Sequence, residues 1–72
     1  MALLSAAGRE YECLWASDVA FDGIRLEVYD QVGAVFFDLS ISEGGKITIN
    51  TFSNEVPAEI VLAAIELASQ RA

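Results

Sequence analysis

Apolar and polar residues alternate in four stretches of this 72-residue chain, and a nearly all-apolar segment with helical spacing follows them. Tyr11, Cys13, Trp15, Val19 and Phe21 share one parity. So do Ile24, Leu26 and Val28, then Val35, Phe37, Leu39 and Ile41, then Ile47 and Ile49. Successive side chains of a strand point to opposite faces, so the alternation predicts four strands with one buried face.

The turns between them suggest a register. Asp22-Gly23 predicts a two-residue type I′ turn, because both central positions need positive φ. Phe21 then faces Ile24, Val19 faces Leu26 and Ser17 faces Val28, with a long first strand from Glu10 to Phe21. A second turn at Asp30-Gln31-Val32-Gly33 sets Val28 opposite Val35. At Glu43-Gly44-Gly45, a three-residue loop with a left-handed glycine places Ile41 opposite Ile47 and Leu39 opposite Ile49. A two-residue loop would turn Ile47 to solvent, and burial normally sets register.

A helix is expected from near Pro57, with Glu55 and Glu59 complementing its positive end, Asn54 or Ser53 capping it, and Arg71 at its C-terminus. Val61, Ala64, Ile65 and Ala68 form the stripe expected against the sheet, while Ile60, Leu62 and Leu67 widen the apolar arc. Residues 1–8, with Leu3 and Leu4, fit either a short helix or an edge strand. The fold class is thus α+β: a four-stranded antiparallel β-meander with one C-terminal α-helix packed on one face. Residues 9–72 form a single β4-α domain.

Composition narrows the chemistry. A chain this short buries only about 60% of its extended surface, yet 54% of its residues are hydrophobic. Association, as a homodimer or with a partner, is the natural way to cover the surplus. Cys13 is the one cysteine and histidine is absent, which removes an internal disulfide and the commonest metal ligand and general base. Cys13 shares its face with Tyr11 and Trp15 and reads as a core thiol. Gly44-Gly45 lacks the Gly-Lys-Ser/Thr ending of a phosphate loop, and Asp30, Glu43 and Glu55 lack the spacing of a cation loop. No catalytic residue, cofactor site or metal site is expected. Residues 1–8 lack the charged start of a signal peptide, and no apolar run approaches the roughly 20 residues of a membrane span. A cytoplasmic protein is expected.

Eleven acidic residues against four basic ones give a formal charge of −7. That disfavours direct nucleic-acid binding, where Lys and Arg must neutralise phosphates. It suits a basic protein partner, whose encounter the opposite charge would accelerate. On the expected pairing, Arg25 lies opposite Asp38 and Phe36 opposite Phe52 on the outward face, with Tyr29 one strand away. The expected partner-binding set is therefore Glu10, Glu12, Asp18 and Glu27 around Tyr29, Phe36 and Phe52. The functional expectation is a small non-enzymatic protein-binding module of inhibitor or immunity type, toxin-neutralising or phage anti-defence. The bacterial and phage proteins of that kind share with this chain small size, acidity and a lack of catalytic groups, and no motif. The alternative is a homo-oligomeric assembly protein without a heterologous target.

Overall fold

The computed structural model describes residues 2–17 and 23–71. Its elements are β1 (Ala2–Ala6), β2 (Arg9–Ser17), β3 (Gly23–Tyr29), β4 (Val35–Ser42), β5 (Ile47–Asn50) and α1 (Ala58–Arg71). The strands form one antiparallel sheet in the order β1-β2-β3-β4-β5, and the helix follows it. The α+β meander holds, but with five strands rather than four.

The added strand comes from the N-terminal segment, which is an edge strand and not a helix. Ala6 faces Arg9 across a two-residue loop in which Ala7 and Gly8 both have positive φ, 52° and 75°. Those are the dihedrals a type I′ hairpin requires. Alanine accepts a left-handed backbone at a cost of about 1–2 kcal/mol, so Ala-Gly is an uncommon turn pair and a weak signal. Leu4 is buried beneath the helix side of the sheet, while Leu3 and Ser5 point the other way and are exposed.

Two of the three expected registers differ. Ser17 faces Ile24, Trp15 faces Leu26 and Cys13 faces Val28, so β2 is displaced four residues from the tight-turn pairing. Val19, Phe21 and Asp22 of that expected hairpin lie outside the described residues, as does Asp18. An even displacement preserves parity, so the same side chains reach the core in either register. Between β3 and β4, Val28 faces Phe37 rather than Val35, and Tyr29 faces Val35. Phe36 is left as the extra residue of a β-bulge. Its ring joins the core while Val35 shares the side of Tyr29, the reverse of strict alternation. The third hairpin matches: Ile41 faces Ile47, Leu39 faces Ile49, and Gly45 takes φ 85°. Ser42 N–H donates to the Lys46 carbonyl at 3.0 Å to close it.

The helix lies on the sheet face that carries Leu4, Cys13, Leu26 and Leu39, as its apolar stripe requires. Ile60, Ala64 and Ala68, spaced four apart, are fully buried. Ile60 is therefore central to the contact, while Val61 and Ile65 are half-buried beside it. Neither Asn54 nor Ser53 caps the helix. The Pro57 carbonyl accepts the first helical bonds, from Ile60 at 3.1 Å and Val61 at 3.3 Å. Asn54 instead donates its side-chain amide to the Phe36 carbonyl at 2.8 Å, which ties the helix approach to the bulge. Phe37, Leu26, Leu39, Val28 and Cys13 fill the interior beneath α1. Each large apolar side chain buried this way contributes about 1.5–3 kcal/mol.

Candidate protein-binding face

With one helix on one side, the opposite side of the sheet carries no second layer among the described elements. The residues facing it stand in rows set by the register. Leu14, Glu27, Asp38 and Asn50 lie side by side across β2 to β5. Ala16, Arg25, Ser40 and Thr48 form the adjacent row. On β1, Leu3 stands beside Glu12 and Ser5 beside Glu10.

Charge on this face is partly organised within the protein. Arg25 lies opposite Ser40 rather than Asp38, but it reaches diagonally, placing Nε 3.8 Å from Asp38 Oδ2. Asp38 is 6% exposed, the one buried charged residue of the described chain. Burial of a carboxylate demands such a partner. Tyr29 donates its hydroxyl to Glu27 Oε1 at 2.9 Å. That hydrogen bond holds the Tyr29 phenol above its ordinary pKa, with desolvation and the Glu27 charge adding to the effect. Glu10 and Glu12 are exposed at the β1 side. A shallow polar depression runs there, past Leu3, Arg9, Glu10, Glu12 and Asp30.

The expected site residues are divided by the fold. Glu10, Glu12, Glu27 and Tyr29 share the open face; Asp18 lies outside the described residues. Phe36 and Phe52 do not oppose each other. Phe52 lies beyond β5 at φ 53° and is 49% exposed. Phe36 stacks on Tyr11, with ring centroids 6.2 Å apart and planes 7° from parallel, and meets Phe37 edge-on. Leu14 and Leu3 are exposed apolar residues of the face that the expected set omits, beside the half-buried Ala16 and Val35. Leu14 has the parity of Glu10 and Glu12, so alternation points it outward, whereas Leu3 needed the strand assignment of β1.

Cys13 is buried, its thiol donating to the Ala2 carbonyl at 3.4 Å, and burial pushes its pKa up. Among the described residues no three acidic or thiol side chains gather closely enough to hold a metal ion. No helix there is long and apolar enough to cross a membrane. Comparison with protein families, characterised proteins and solved structures finds no match.

Proposed function

We propose that the chain is a small non-enzymatic binding module of inhibitor or immunity type that engages a basic protein surface through its open sheet face. One observation carries this reading: the helix covers one side of the sheet, and the other presents Glu10, Glu12 and Glu27 beside Leu14 and Tyr29. Acidic side chains around an apolar centre suit a target groove lined with Lys and Arg, where carboxylates stand in for phosphates. Leu14 and Tyr29 supply the apolar contact, and the packing of Phe36 on Tyr11 removes it from that set. The formal charge of −7 steers encounter with such a target. Affinity capture from the native host, followed by binding assays at rising salt, tests the reading. A basic partner bound more weakly as salt increases, and lost with Glu10→Lys/Glu12→Lys, is the expected result. A captured partner that binds the double variant as tightly as the original would sink it.

The end position of β1 in the sheet, with no further strand beside it among the described residues, favours a second reading, an assembly role for identical subunits, because an unpaired strand edge is itself a template for association.

A further inference from the structure

Three carboxylates of the open face and its adjoining turn are committed within the chain. Glu27 accepts from the Tyr29 hydroxyl, Asp38 lies beside Arg25, and Asp30 Oδ1 accepts from the amides of Val32 and Ala34. Glu10 and Glu12 differ. Both are exposed, and neither side chain has a hydrogen bond or ion pair among the described residues. Two shallow grooves meet at Glu12, one running toward Leu3 and Arg9 and the other toward Tyr29 and the turn after it. Glu10 lines only the first.

We propose that the second groove receives an arginine side chain of the basic protein partner, an inference that rests on the binding reading above and names its anchor. The groove measures 440 Å³ and is lined by Glu12, Tyr29, Asp30, Gln31, Val32 and Gly33. Glu12 supplies a carboxylate for the planar guanidinium, which can engage both oxygens at once. Tyr29 supplies a ring for that plane to stack on, held in place by its hydroxyl bond to Glu27. Val32 is 88% exposed, more than any other large apolar residue of the described chain. The methylene stem of an arginine would cover it.

Charge selects both the groove and its occupant. Arg9 lines the neighbouring depression and repels a cation there, whereas the Tyr29 groove carries Glu12 and Asp30 and no basic residue. An anionic ligand would meet those two acids with nothing to offset them. The groove is also shaped in advance. Asp30 Oδ1 holds the Val32 and Ala34 amides, and Gln31 Nε2 donates to the Glu10 carbonyl at 3.2 Å, fixing the turn against β2. Walls already ordered spare the entropy of ordering them on binding. Lysine suits the site less well, because its ammonium is a compact, strongly hydrated charge that neither forks onto a carboxylate nor lies flat on a ring.

Fluorescence anisotropy and NMR amide-shift mapping with labelled, end-capped tetra-arginine and tetralysine peptides test the proposal. Tetra-arginine should bind more tightly than tetralysine and shift the amides of Glu12, Tyr29 and Val32. Glu12→Gln should weaken it about tenfold, and Val32→Ser should weaken it with no change in net charge. Glu10→Gln removes the same charge outside this groove and should matter far less. All three positions are exposed, so circular dichroism should be unchanged. Should Glu12→Gln fail to fold, Val32→Ser and the shift map decide the matter. Equal losses from Glu10→Gln and Glu12→Gln, equal affinity for the two peptides, or shifts confined to other residues would overturn it. The capture experiment judges the face separately. A captured partner lost with Glu10→Lys/Glu12→Lys but indifferent to Glu12→Gln and Val32→Ser would remove the arginine groove and leave the binding face standing.

Discussion

Tyr11 on β2 and Phe36 on β4 stack with parallel, offset rings although β3 lies between their strands in the sheet. The contact is possible because β3 ends at Tyr29 and the bulge at Phe36 directs its ring past that end. Phe36→Ala should therefore destabilise the fold by about 2 kcal/mol, combining lost apolar burial with a lost aromatic pair. For a chain of this size the melting temperature should fall by roughly 8–16 °C. Phe52→Ala, at a half-exposed position, should cost under about 1 kcal/mol. Urea unfolding of both variants measures the contrast, and equal losses would contradict the assignment of Phe36 to the core.

Asp30 organises the β3–β4 connection through its side chain. Its Oδ1 accepts from the backbone N–H groups of Val32 at 3.0 Å and Ala34 at 2.9 Å. Asp30→Ala removes both bonds and should cost about 1–2 kcal/mol. Asp30→Asn keeps an oxygen acceptor and should recover most of that loss. Thermal denaturation of the pair separates hydrogen bonding from backbone preference.

Tyr29 should ionise above the ordinary phenol value of 10.0, because its neutral hydroxyl is the one that donates to Glu27. Since the folded pKa exceeds the unfolded one, this contribution to stability is complete below about pH 10. It is lost as pH rises through the folded value. Absorbance at the phenolate band should show a late-titrating tyrosine, and Glu27→Gln should move it toward the ordinary value. A titration unaffected by Glu27→Gln would show that this hydrogen bond does not govern it.

Cys13 should resist alkylation in the native protein, being buried with a raised pKa. Labelling should become rapid in denaturant, with a rate that follows the population of unfolded chain. Fast modification under native conditions would mean that β2 opens locally at Cys13.

Much of the sheet was legible because parity survives even errors in register. Asp22-Gly23 resembles a tight hairpin, and the four-residue displacement of β2 leaves Cys13 and Trp15 on the inner side. Alternation cannot detect a shift that changes no side chain's face. At Glu43-Gly44-Gly45 the competing loop lengths predicted opposite faces for Ile47, and the three-residue loop gives the observed pairing, although Ile47 on the terminal strand is 37% exposed rather than buried. The bulge lay beyond such reasoning. A single extra residue exchanges Val35 and Phe36, and what favours the exchange is the distant ring of Tyr11. Strand β1 was ambiguous because five small or apolar residues fit a helix as well as a strand, and Ala7-Gly8 is an atypical hairpin turn. That ambiguity concealed Leu3 and the fifth strand, while the acidic members of the open face were readable from parity alone.

Each strand pairs with its immediate predecessor in the chain, so sheet assembly requires the closure of short loops only. Loop closure of this kind carries little entropy cost, and fast folding accompanies local contacts. The helix departs from that order, for it returns from the chain's far end to rest chiefly against β1. Folding should accordingly proceed as a rapid zippering of hairpins followed by one slower long-range capture. Substitutions at Ala64 and Ala68 belong to the capture step and should speed unfolding more than they retard folding.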